Sequence, residues 1–235
     1  MTFDSLSWNV LLAAIGLAAL HTVIGPDHYL PFVMIARARR WSLRRTLLVT
    51  GACGLGHVLS SILLGLVGIL LGVAIGQIES VEAFRGGLAA WALVAFGTAY
   101  ALWGIRHALR TRKGIELHEH GSHLHLHSHG QEPHRHGHLP GPNTTFWALF
   151  IVFVLGPCEP LIPLFILPAS RGRWELAVAA AIAFGVVTVV TMLILTAVAR
   201  AGFERLPLGP LERWAHPLAG AIIAGSGLAV IYLGI

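Results

Sequence analysis

The sequence predicts an all-α integral membrane protein: six transmembrane helices arranged as two inverted three-helix repeats, with a histidine-rich loop between them. Three observations carry this. Only 11% of the 235 residues are charged and 55% are hydrophobic, where a soluble chain carries about 25% charged residues. The apolar residues come in six long blocks, each at or above the roughly 20 residues that cross a bilayer as a helix. Two of those blocks carry related Gly-Pro motifs at corresponding places in the two halves.

The blocks run about Trp8–Ala36, Thr46–Ile78, Gly86–Arg106, Thr144–Pro168, Leu176–Ala199 and Ala215–Ile235. Their apolar residues are continuous and lack the period of an amphipathic helix, and the mean hydropathy of the chain is +0.73. The first block is too long for a cleaved signal peptide and has no small-residue cleavage site after it. With the N-terminus outside, the inner side receives Arg37, Arg39, Arg40, Arg44, Arg45, Arg106, Arg110, Arg112, Lys113, Arg135, Arg200, Arg205 and Arg213, and the outer side only Arg85, Arg171 and Arg173. Thirteen of 16 cationic residues then lie on one face, a positive-inside pattern that sets the orientation. Trp8, Trp41, Trp147, Trp174 and Trp214 sit near block ends, as interfacial aromatics do. The basic balance therefore reports topology and excludes a nucleic-acid partner. The expected location is the cytoplasmic (inner) membrane, with the lipid bilayer as one partner.

The halves align at an offset near 130. Val23-Ile24-Gly25-Pro26-Asp27-His28 matches Val154-Leu155-Gly156-Pro157-Cys158-Glu159, and Arg40-Trp41-Ser42-Leu43 matches Arg173-Trp174-Glu175-Leu176. In the third spans Leu88, Ala89 and Gly97 fall on Leu218, Ala219 and Gly227. Three spans per half is an odd number, so the second half enters the membrane upside down. This gives residues 1–109 as the first repeat, 110–142 as the loop and 143–235 as the second repeat. Pro removes a donor and clashes with the preceding turn, so each first span should kink or break at its Gly-Pro.

The loop holds His118, His120, His123, His125, His127, His129, His134, His136 and His138. It is polar and cannot bury a core. Placed on the cytoplasmic side, its dense imidazole suits Ni²⁺, Co²⁺, Zn²⁺ or copper.

Within the blocks stand His21, Asp27, His28, His57 and Glu159. A charge at mid-bilayer costs about 2.5–3.5 kcal/mol on insertion scales, so such groups usually face a pathway or an ion. His21 and His28 are two turns apart, about 10 Å along a regular helix, and unwinding at Gly25-Pro26 would bring them together beside Asp27. His57 follows glycines that admit close helix approach; a lone intramembrane histidine also serves as a packing residue. Cys158 adds a soft ligand or is inert packing. The candidate metal residues are thus His21, Asp27, His28, His57, Glu159 and Cys158, with Glu159 as ligand or proton carrier.

The His21-x5-Asp27-His28 run resembles the signature of the nickel/cobalt permease superfamily. Its spacing is similar to that of the hydrogenase- and urease-accessory permeases, with Thr22 where those have Pro. Gly56-His57 followed by Ser60-Ser61 is similar to the family's Gly-His-Ser element. Six spans with a His-rich cytoplasmic loop resemble the nickel/cobalt efflux proteins. The resemblance implies that His21, Asp27, His28 and His57 hold the metal. The expected function is secondary transport of Ni²⁺ or Co²⁺, with Zn²⁺ as a further cargo, protons as coupling ion and export favoured over uptake. No enzymatic activity, permanent cofactor or nucleotide motif is expected, and the oligomeric state is left open. Two readings of other classes compete: a transmembrane thiol-disulfide electron carrier using Cys158, which needs a second thiol able to meet it, and an exporter of sulfur oxyanions, which needs cationic groups deep in the spans.

Overall fold

Helix order follows from caps and prolines. A computed structural model describes residues 4–110, 119–120, 123–124, 142–205 and 209–234. Asp4 starts α1 (Ser5–Ile24) by accepting from the Ser7 amide at 2.9 Å. The helix stops at Gly25, whose N–H reaches the His21 carbonyl at 3.0 Å. Pro26 follows and has no N–H to continue the ladder, so Pro26–His28 turn as a 3-10 segment before α2 (Leu30–Ala38) resumes. Ser42 caps α3 (Leu43–Leu70). After a short turn α4 runs over Ile75–Arg110.

The second half repeats the break. α5 (Pro142–Leu155) ends where the Gly156 N–H meets the Val152 carbonyl at 3.0 Å; Pro157 and Pro160 then precede α6 (Leu161–Ser170). α7 (Trp174–Glu204) and α8 (Ala215–Leu233) complete the chain, with a 3-10 segment at Gly209–Trp214 between them. α2 and α6 end alike. The Trp41 amide reaches back to the Ala36 carbonyl at 2.8 Å and the Arg173 amide to the Pro168 carbonyl at 2.9 Å. These are matching Schellman caps, one with Arg40 at φ 51 and the other with Gly172 at φ 74.

Among the described residues, five helices are long and apolar enough to cross a membrane: Ser5–Ile24, Leu43–Leu70, Ile75–Leu109, Trp174–Glu204 and Glu212–Leu233. This is the pattern of a multi-pass membrane-embedded protein. The expected block Thr144–Pro168 is not one helix; it is split into α5 and α6, each too short to span alone. The expected third block also begins too late. α4 starts at Ile75 and takes Glu79, Glu82 and Arg85 into the helix, because helix length is decided by packing as well as by hydropathy.

The outer surface is apolar, and polar groups are buried among the apolar core. Leu12, Leu63, Leu70, Ile182 and Val198 are exposed, whereas Thr46, Thr50, His57, Ser61, Glu82, Thr188 and Thr196 are buried. In lipid this is the favourable distribution, since apolar side chains lose nothing there and polar groups need partners. The sequence halves interdigitate: α1 packs on α7, α5 on α3, α2 on α8 and α6 on α4, with α4 lying along α8. That last contact is backbone to backbone. A Cβ on Gly97 or Gly220 would run into the main chain of Ala224 or Ala101 on the facing helix.

Candidate metal centre

Both helix breaks deliver side chains to one buried place. Unwinding at Gly25 turns His28 back toward His21, and their ring centres lie 4.8 Å apart; His57 on α3 is 5.3 Å from His28 and 6.4 Å from His21. At the other break Cys158 turns inward, with its Sγ 3.1 Å from His57 Nε2. Ligand atoms of His21, His57 and Cys158 all lie within 4.8 Å of one another. A tetrahedral ion with bonds of about 2.0–2.3 Å would space its ligand atoms roughly 3.3–3.8 Å apart. The group is therefore open by about an ångström relative to such a site, a spacing that could hold an ion.

Gly25 makes this approach possible. A Cβ there would stand 2.5 Å from His28 Nδ1 and 2.8 Å from Asp27 Oδ1. The glycine thus permits Asp27 and His28 to fold over the break.

The imidazoles are oriented by acceptors behind them. His57 Nδ1 lies 3.2 Å from the Phe153 carbonyl, and a carbonyl only accepts, so the proton sits on Nδ1 and Nε2 presents its lone pair to the Cys158 thiol. His28 Nδ1 lies 3.1 Å from Asp27 Oδ1 and 3.2 Å from the Gly25 carbonyl. Its Nε2 is buried without a partner, as is Nε2 of His21. Carboxylate or carbonyl behind, free nitrogen in front: this is how metal-ligating histidines are held. Orphaned buried nitrogens cost about 1–3 kcal/mol each, a cost that a bound metal ion would relieve.

Asp27 and Glu159 end up in other places than expected. Asp27 positions His28 and is not itself in the group of close ligand atoms. It faces a cavity of about 30 Å³ shared with His28, His57, Gly86, Phe153 and Pro157, room for about one water. Glu159 is exposed and lies outside the ligand group. The tight Gly-Pro-Cys-Glu turn aims Cys158 inward and its neighbour outward. Of the loop histidines, His120 and His123 pair as backbone on a two-residue antiparallel ladder. His118, His125, His127, His129, His134, His136 and His138 lie outside the described residues.

Sequence reasoning missed Glu82 and Arg85. Glu82 is fully buried and holds Arg85 at 2.7 Å. Arg85 donates onward to Ser60 Oγ at 2.9 Å and the Val154 carbonyl at 2.7 Å, tying α4 to α3 and to the end of α5. Arg85 was read only as one of three cations on the outer side; the structure adds that it lies against Glu82 and is largely covered. The signal was present as an i, i+3 acid–base pair beside an apolar run. Cys53 and Cys158 are both free thiols and belong to separate apolar clusters.

At the basic end of the bundle a second cavity of about 540 Å³ opens between α2, α7 and α8, bordered by Arg37, Arg40, Trp41, Arg200, Glu204 and His216. No family model, curated protein or solved structure matches this chain.

Proposed function

We propose that this protein is a secondary transporter that carries a divalent transition-metal ion, Ni²⁺ or Co²⁺ first, across the cytoplasmic membrane, with export favoured. The observation that carries the reading is the convergence of His21, His57 and Cys158 ligand atoms within 4.8 Å inside an apolar bundle. Imidazole with thiolate suits first-row metals and not Mg²⁺ or Ca²⁺. Metal binding would displace the Cys158 thiol proton, which offers a simple link between metal and proton movement.

Transport, not storage, is favoured by the way the site is divided. His21 and His28 come from the first half, Cys158 from the second, and His57 is held by the second half's Phe153. An inverted repeat is supported by the exchange of packing partners: α1 on α7 corresponds to α5 on α3, and α2 on α8 to α6 on α4. The matching breaks and Schellman caps add to it. Rocking one half against the other would open such a site to each face in turn. Arg85, a part-buried cation of the kind an oxyanion carrier would need, is already neutralised by Glu82.

The test is radioactive nickel or cobalt accumulation in cells expressing wild type, His57→Ala, Asp27→Asn or a deletion of residues 118–138. Lower accumulation than with empty vector means export and higher means uptake. His57→Ala should abolish the effect. Asp27→Asn should weaken metal affinity by about 10–100-fold, the usual effect of losing an orienting partner. If only the loop deletion matters, the protein is a metal-binding scaffold and the reading is wrong.

A further inference from the structure

Between the imidazole cluster and the basic cavity lies the seam of α3 and α7, and three of its hydroxyls lack partners. On α3, Thr46, Thr50, Cys53 and His57 recur at helical spacing, all buried; on α7, Thr188, Met192 and Thr196 do the same, and Arg200 follows one turn later. The two helices run antiparallel in a readable register. Arg200 Nη1 meets Thr46 Oγ1 at 2.7 Å, a Cβ on Gly54 would meet Met192 Sδ at 3.0 Å, and one on Gly185 would meet Val58 Cγ1 at 2.8 Å. This register sets Thr50 opposite Thr196 and Thr188 at the level of His57.

Thr50, Thr188 and Thr196 are each fully buried, and none of their hydroxyls has a hydrogen-bond partner. A helical threonine ordinarily satisfies itself on the carbonyl four residues back, as Thr22 does on Ala18 at 2.8 Å. Three in a row that do not are groups in want of water or a hydrated ion. Arg200 closes the far end. It is held on Thr46 and on Glu204 at 2.7 Å, and it borders the large basic cavity.

We propose that the α3–α7 seam is the hydrated route by which a divalent cation passes between the imidazole cluster and the basic cavity. Thr188, Thr50 and Thr196 replace water around the ion, and Cys53 and Met192 supply soft contacts midway. Arg200 on Thr46 is its gate. A guanidinium on the path repels the cation, so Arg200 must release Thr46, keeping its pair with Glu204, before an ion leaves. The nature of the cargo rests on the transport reading above; the hydration of the seam does not.

Two measurements test it. Thr50→Val with Thr196→Val keeps the shape of the seam and removes both hydroxyls. Nickel flux in proteoliposomes should fall at least tenfold while nickel binding to the purified variant is unchanged, and Thr50→Ser with Thr196→Ser should keep flux. Independently, Thr196→Cys in a Cys53→Ala background should react with 2-aminoethyl methanethiosulfonate at least tenfold faster than that background alone, and added Ni²⁺ should slow it. Wild-type flux in the valine pair, or reaction no faster than background, overturns the proposal. If the unaltered protein moves no metal, the transport reading fails, and the labelling rate still decides whether the seam holds water.

Discussion

His57 shows how far one carbonyl can determine chemistry. Phe153 accepts its Nδ1 proton, so Nε2 is left to bind the thiol of Cys158 or a metal in its place. Asp27 does the same for His28. Such acceptors are invisible to a pattern of residue types: Asp27 was legible as an acid beside histidines, its role as an orienting group was not. A second residue carries strain openly. Arg40 occupies the left-handed region at φ 51, where the corresponding cap has Gly172. An L side chain there costs about 1–2 kcal/mol, and the Arg40–Glu212 pair that accompanies it is largely exposed and adds little. Arg40→Gly should therefore hold or raise the melting temperature in detergent. Gly172→Ala should lower it.

Among the elements, the broken helices do most to build the site. A continuous helix would keep His21 and His28 about 10 Å apart; the break at Gly25 brings their rings to 4.8 Å. Gly25→Ala should thus reduce nickel binding, measured by calorimetry, by tenfold or more while helix content stays unchanged. Gly16→Ala on the same helix, where a Cβ meets nothing within 4 Å, should bind as wild type. The breaks were legible because Pro leaves a fixed physical mark on a helix. The start of α4 was not, since Glu79, Glu82 and Arg85 lower local hydropathy, and only the fold shows that Glu82 and Arg85 neutralise each other. The direction of Glu159 was likewise illegible: adjacent residues on a tight turn can face opposite ways.

At the scale of the molecule, an ion pair joins the two halves at their edge. Asp4 accepts from Ser7 and pairs with Arg173, the residue before α7, at 3.1 Å. The Ser7 hydrogen bonds, then Arg173, lower its carboxyl from the ordinary 3.8 to about 2. A lowered acid stabilises the fold above its unfolded pKa and loses that contribution as pH falls through the folded one. The melting temperature of wild type should then drop between pH 3.8 and about 2, and Asp4→Asn, which keeps the helix cap, should flatten that part of the curve. The offset between the halves was the sequence's ground for expecting a repeat. Their interdigitation could not be read there, because which apolar face meets which is set by small residues such as Gly97 and Gly220 in close register.

That interdigitation has a consequence for how the protein is made. A ribosome delivers the first half to the membrane before Phe153 and Cys158 exist. Until they arrive, the Nδ1 proton of His57 has no acceptor and α1 lacks the α7 surface it packs on. In hydrocarbon such gaps are costly, so the nascent first half should linger beside the insertion machinery. It leaves when the second half, entering later, supplies what it lacks.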